Sequence, residues 1–219
     1  MRIIVSILFF LGWGSALVVS AEPKEISQKG CRECHRFSSD ESQPKQGPDL
    51  FYSGNKFQKK WLKKFLQSPE IIHEVTFSPK LDLVNGKSKV IQTHAKLTKN
   101  ESERVTNFLM TLQLSGLELG KINEEPLSKA QSARAKISFE RTFGCISCHR
   151  ALNLIGRVRG GVSGPSLVNS GLRLKPDWIF HWLKTPQRFM REGRMPLFNL
   201  DEEEAIRITK YILSIRKKS

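Results

Sequence analysis

The sequence predicts an all-α protein made of two tandem copies of one small helical unit, and three observations carry that prediction. The chain repeats itself at fixed offsets: Gly47-Pro48-Asp49-Leu50 matches Gly164-Pro165-Ser166-Leu167, and Trp61 matches Trp178, each 14 positions after its glycine. Pro69 and Pro186 each follow their tryptophan by 8, and Leu97 with Phe108 matches Leu200 with Tyr211, 11 apart in both. Apolar residues then recur at helical intervals between capping residues and prolines. Finally, the alternation that marks strands is missing, apart from a possible short pairing around Val75 to Val84.

Each element follows from local chemistry. Asn55 is expected to cap a helix carrying Phe57, Trp61, Leu62, Phe65 and Leu66, which Pro69 stops. Its twin takes Pro176 in the first turn, where a missing N–H costs nothing, carries Trp178, Ile179, Trp182 and Leu183, and ends before Pro186. Thr98-x-x-Glu101 is a capping box opening a helix with Val105, Phe108, Leu109 and Leu112 inward, and Gly116 is the expected stop. Asp201 and Glu204 open the equivalent helix, with Ile208, Tyr211, Ile212 and Ile215 as its stripe. Residues 116–128 carry turn formers and charges without an apolar period and read as a linker. A further helix starts at Ser128-x-x-Gln131 and runs through Ile137 and Phe143. The expected domains are therefore 22–115 and 129–219.

All four cysteines fall in two pentapeptides of one pattern, Cys31-Arg32-Glu33-Cys34-His35 and Cys145-Ile146-Ser147-Cys148-His149. This C-x-x-C-H spacing is the attachment signature of c-type haem: two thiols add across the two vinyl groups of one porphyrin, and the adjoining His lies under the iron. The expectation is two covalently bound haems c, held by Cys31, Cys34, Cys145 and Cys148, with His35 and His149 as proximal ligands. A zinc ribbon separates its pairs by roughly 15–20 residues, whereas Cys34 and Cys145 lie 111 apart. Neither a thioredoxin-like pair nor a disulfide framework calls for a His directly after both pairs.

The first 21 residues support that chemistry. Met1-Arg2 precedes an apolar run from Ile3 to Val19, then Val19-Ser20-Ala21 with small side chains where a signal peptidase reads. Residues 1–21 are expected to be a cleaved signal peptide, with an uncleaved N-terminal anchor as the alternative, and the protein is expected in the periplasm. Net charge is +15, from 36 Lys and Arg against 21 Asp and Glu. Such a surface suits acidic redox partner proteins, a membrane complex or an anionic membrane surface; nucleic acid is not an expected partner of an exported haem protein.

Both halves resemble class I cytochrome c domains: a helix running into C-x-x-C-H, a Gly-Pro-x-Leu loop, a Trp-bearing helix, a distal-ligand loop and a C-terminal helix. The resemblance implies that the Gly-Pro carbonyl supports the proximal His ring and that helices wrap the haem. In the second half, Arg194-Met195-Pro196-Leu197-Phe198-x-Leu200 resembles the family's distal methionine loop and makes Met195 the sixth ligand, with Met190 as fallback. The first half departs from the family. Its methionine, Met110, lies inside a predicted helix, and Thr93-His94-Ala95-Lys96 stands where the ligand loop should be. His94 is the chosen sixth ligand there, with His73 as runner-up, and Lys96 or an open iron as further alternatives. His181 reads as a helix-face residue. Thioether ligation raises the potential, so electrons should pass from the first haem to the second. The expected function is single-electron relay. The rivals are a diheme enzyme such as a peroxidase with an open first haem, and a haem subunit of a larger oxidoreductase.

Overall fold

A computed structural model describes residues 21–217 except 43–44, 46, 73–93, 124, 191–192 and 194. The leader up to Ser20, His73 and the pairing expected around Val75 to Val84 lie outside the described residues. Within them the chain is mostly helical, and no helix is long and apolar enough to cross a membrane.

In the N-terminal half, α1 (Lys24–Gln28) leads through Gly30, at φ +65, into α2 (Cys31–Cys34). After the Gly-Pro loop come α3 (Ser53–Lys56), α4 (Lys59–Gln67) and α5 (Lys99–Thr111). The Thr98 capping box forms as expected, with Glu101 N donating to Thr98 Oγ1 and Thr98 N to Glu101 Oε2. Helices α4 and α5 pack together around Leu62, Leu66, Val105, Phe108 and Leu109, joined by Ile26, Phe37 and Leu50.

Two expectations in this half fail for one reason. Asn55 caps nothing, because it sits inside α3 and its Oδ1 accepts from Leu114 N at 2.7 Å. Gly116 does not stop α5 either. The helix ends at Thr111, where the chain turns extended so that the Leu112 carbonyl can accept from Gly54 N at 2.8 Å. The segment after α5 is recruited to cover α3, a long-range pairing that outbids the local signals.

In the C-terminal half, Ser128 and Gln131 form the second capping box and open α6 (Lys129–Ile137), which passes into a single π-helical turn, Ser138–Thr142. Gly144, at φ +61, then leads into the tight turn Cys145–Ser147, as Gly30 does in the first half. A hairpin of β1 (Ala151–Leu152) and β2 (Val158–Arg159) follows, pairing Ala151 with Arg159 and Leu152 with Val158. Strands this short leave no periodicity in a sequence. Then come α7 (Ser170–Arg173), α8 (Pro176–Lys184), a turn at Pro186–Arg188 and α9 (Glu202–Ser214), whose cap Asp201 accepts from Glu204 N at 2.7 Å. Phe139, Ile179, Leu183, Ile208, Tyr211 and Ile212 fill the second core.

The 117-residue offset that relates Trp61 to Trp178 also relates Phe57 to Leu174, and these two residues face each other in an antiparallel bridge between the halves. Gln58 N donates to Arg173 O and Lys175 N to Lys56 O, both at 2.8 Å. Each bond is the repeat image of the other, so the junction is a pseudo-twofold contact. Tyr52, Trp178 and Phe189 form a third apolar cluster over it, with ring centres of Tyr52 and Trp178 4.6 Å apart. The expected linker is strapped down as well. Gly120 N and Ile122 N both donate to the Asp177 carboxylate, and Ile122 is buried in the second core.

Phe139 is fully buried against Tyr211, with ring centres 5.4 Å apart. Phe139→Ala therefore costs about 3–5 kcal/mol of stability, whereas Ser128→Ala, which removes one cap, costs about 1 kcal/mol. Denaturant unfolding midpoints of the two variants test that ranking.

Candidate functional site

The two C-x-x-C-H segments are held in the same way. Gly47 N donates to Cys34 O at 2.8 Å and Leu50 N to Arg36 O at 2.8 Å; Gly164 N donates to Cys148 O at 2.7 Å and Leu167 N to Arg150 O at 2.9 Å. This lays each Gly-Pro loop against its motif. His35 Nδ1 then bonds Pro48 O at 2.7 Å, and His149 Nδ1 bonds Pro165 O at 2.8 Å. A carbonyl oxygen only accepts, so Nδ1 carries the proton and Nε2 keeps its lone pair. That tautomer is the one a metal-binding imidazole needs, with its second nitrogen fixed by a backbone carbonyl. Burial pulls the His35 pKa below its ordinary value, outweighing the Pro48 bond, and keeps the ring neutral.

Glycine is required where loop meets ring. A Cβ at Gly47 would lie 2.3 Å from the His35 ring, and one at Gly164 2.5 Å from that of His149.

The thiols do not suit the rival chemistries. All four cysteines are unpaired, and burial raises the Cys31 thiol and pushes Cys145 up to about 11. A disulfide-exchange cysteine needs the opposite shift, towards thiolate. Among the described residues no three His, Cys, Asp or Glu side chains gather as a metal site. The two cysteine pairs belong to different halves, so a shared zinc finds no support.

In the first half, His94 faces His35 with ring centres 6.1 Å apart and planes inclined at 54°. Metal–imidazole bonds of about 2 Å on each side bring two ring centres to about that separation. The His94 Nδ1 donates to Ala95 O at 2.9 Å, so its Nε2 is also the available nitrogen. Phe65 meets the His94 ring edge-on at 5.1 Å and stacks on Trp61 at 4.9 Å, which stacks on Phe57 at 5.5 Å, giving the pair an apolar wall. Lys96 is exposed, and Met110 packs against the first core.

In the second half, Met195 packs against the core, and its sulfur accepts from Trp182 Nε1 at 3.0 Å. That bond fixes the thioether and occupies one of its two lone pairs. Met190 is 40% exposed, which fits a surface residue better than a ligand. His181 bonds Glu118 O through Nε2 at 2.7 Å and so ties the strap to α8.

The junction between the halves holds a feature that sequence reasoning missed. Lys56 and Arg173 are repeat-equivalent cations facing each other across the pseudo-twofold contact. Burial, with Arg173 opposite, lowers the Lys56 pKa to about 8, and burial lowers Arg173 to about 10. The nearby Asp49 carboxylate is taken by Arg36, whose Nε donates to it at 2.6 Å. Arg173 donates to Ser166 O at 2.7 Å. The Tyr52 hydroxyl beside them is buried and makes no hydrogen bond among the described residues. A half-buried lysine and a buried arginine, with an idle hydroxyl beside them and Glu70 as the carboxylate acting on Arg173, form a cationic site to which the carboxylates of a haem would be suited. The signal was in the sequence, since the offset that aligns the tryptophans also aligns these cations.

The folded chain gives up the Lys56 proton near pH 8, while the unfolded chain holds it to about pH 10.5. The unfolded state thus binds more protons between those values, and this group makes stability rise with pH across that window. Lys56→Met removes that rise, as does any anion seated at the junction. Urea midpoints of the two chains, compared between pH 8 and 10, read it. Comparison with protein-family models, with curated proteins and with solved structures finds no match to this chain.

Proposed function

We propose that this protein is an exported diheme electron carrier of the class I cytochrome c type, relaying single electrons between redox partners. One observation carries the reading: in both halves the C-x-x-C-H histidine donates Nδ1–H to the proline carbonyl of its Gly-Pro loop, at 2.7 and 2.8 Å, which sets the tautomer that a metal-binding imidazole needs. A haem bound there supplies reversible one-electron exchange at its iron.

The chain's own residues hold and tune that group. Cys31 with Cys34 and Cys145 with Cys148 would anchor it by thioether bonds, and burial holds the Cys31 and Cys145 thiols above their ordinary range, unlike thiols tuned to act as thiolates. His35 and His149 bind through Nε2. His94 would be the second iron ligand in the first half and Met195 in the second. Lys56, Arg173 and the Tyr52 hydroxyl are the groups at the junction that would neutralise the carboxylates of a bound haem.

The facing His35 and His94 rings support a closed first site, which favours a carrier over a peroxidase that needs an open iron. A residence as haem subunit of a larger oxidoreductase uses the same residues. The mixed ligation gives the second site the higher potential, so electrons run from the N-terminal to the C-terminal half. The charge of +15 suits partners with acidic docking surfaces in the periplasm, where the leader would deliver the chain.

Intact mass under denaturing conditions should exceed the polypeptide by two haem masses, and by one after Cys145→Ala with Cys148→Ala; a zinc-loaded or haem-free chain from a haem-attaching host overturns the reading. Met195→His should abolish the thioether–iron absorption band and lower the higher of the two potentials, while Met190→Leu leaves both unchanged. His94→Ala should render the first haem high-spin and open to cyanide. Redox titration and paramagnetic resonance of these variants read the assignments separately.

A further inference from the structure

The hairpin that follows the second motif ends in an unusual tip. Its turn is rigid: Gly156 N donates to Asn153 O at 3.1 Å, Asn153 N to Arg157 O at 2.9 Å, and the Asn153 side chain accepts from Ile155 N and Arg157 N at 3.1 and 2.9 Å. Polar residues usually occupy such positions, yet here the turn presents Leu154 and Ile155, which are 90% and 74% exposed. Val158 behind them and Ile137 on α6 are also exposed, and an open apolar groove runs between hairpin and helix. Neither core has any use for these four side chains. A contiguous exposed aliphatic patch marks an interaction surface.

The rim of the patch is cationic. Arg141 lines the groove and Arg157 follows Ile155 and Gly156 in the turn, and both are exposed. Lys136 and Arg159 both pair with Glu140, the one carboxylate lining the groove. Four cations thus surround four aliphatic side chains with a single acid among them.

We propose that this tip docks the protein on an anionic phospholipid surface, with Leu154 and Ile155 entering the acyl boundary and Arg141, Arg157 and Arg159 meeting the lipid phosphates. The shape decides between lipid and protein. Leu154 and Ile155 project from a convex turn, which a fluid interface accepts without a matching pocket. The patch also has no Trp or Tyr of the kind that anchors protein interfaces. The overall charge of +15 adds long-range attraction to such a surface. Gly161 N donates to Ile146 O at 2.9 Å, so the hairpin is bonded back to the second motif and docking would hold that motif at the membrane. The docking itself does not depend on the electron-carrier reading.

Residues 22–219, without the apolar leader that would itself bind lipid, serve for the test, in co-sedimentation with phosphatidylcholine vesicles with and without phosphatidylglycerol. Binding should require phosphatidylglycerol. Leu154→Asp with Ile155→Asp should weaken it at least tenfold with unchanged circular dichroism, and Arg141→Gln with Arg157→Gln should weaken it more than Lys60→Gln with Lys64→Gln, the same charge loss on the other half. Equal loss from both charge pairs, or full binding by the Leu154/Ile155 variant, overturns the proposal in favour of unspecific attraction. Retention on polyglutamate beads that depends on Leu154 and Ile155, without vesicle binding that does, reassigns the face to an acidic protein and overturns it equally.

Discussion

One hydrogen bond, made twice, governs the arrangement of this molecule: the imidazole N–H of each C-x-x-C-H histidine to the carbonyl of a proline 13 or 16 residues later. It fixes the tautomer, aims Nε2 away from the loop, and demands glycine before the proline because the ring lies where a Cβ would stand. It also explains why Pro follows. The residue has no N–H to satisfy at that close approach, and its carbonyl is the acceptor. Around this bond the backbone ties from Gly47 to Cys34 and from Gly164 to Cys148 are the same, although the loops between differ in length and, among the described residues, the hairpin forms in the second half.

The halves agree at their motifs and diverge where they meet. Trp61 stacks between Phe57 and Phe65 beside His94, while its repeat mate Trp178 packs on Tyr52 and Phe189 at the junction. The same sequence position thus walls the facing His35 and His94 in one half and joins the halves in the other. A pseudo-twofold contact brings equivalent residues together, so like meets like. For Phe57 and Leu174 this is favourable burial; for Lys56 and Arg173 it is repulsion in a site with little water to screen it. The lowered Lys56 pKa relieves part of that repulsion, and an anion seated there would relieve the rest.

What was legible in the sequence is what depends on near neighbours. Thr98 with Glu101, Ser128 with Gln131 and Asp201 with Glu204 open their helices as read, and the stripes led by Val105 and Ile208 are buried. What was not legible depends on distant partners. Asn55 spends its side chain on Leu114, Gly116 lies beyond a helix already ended by the Gly54 contact, and the strap from Gly116 to Ile122 owes its place to Asp177 and His181. Nothing local to those residues announces their partners. The site shows the same division: the motifs and their loops were readable, and the repeat offset aligned Lys56 with Arg173, but that the two meet follows only from the docking of the halves.

The two distal sides then make different physical demands. His94 is held by one backbone bond and an aromatic wall, and it sits on the loop that returns to α5 through Leu97, whose N–H bonds Leu66 O at 2.8 Å. Met195 is held by a tryptophan N–H directly on its sulfur. A donor on a thioether withdraws electron density from the atom that would bind iron, and thereby weakens its donation to the ferric state further. If Trp182 keeps that bond when the sulfur binds metal, it pushes the second potential up in the same direction as the thioether itself. The gradient between the halves would then be set by one ligand choice and reinforced by α8, the helix that also carries Trp178 into the junction.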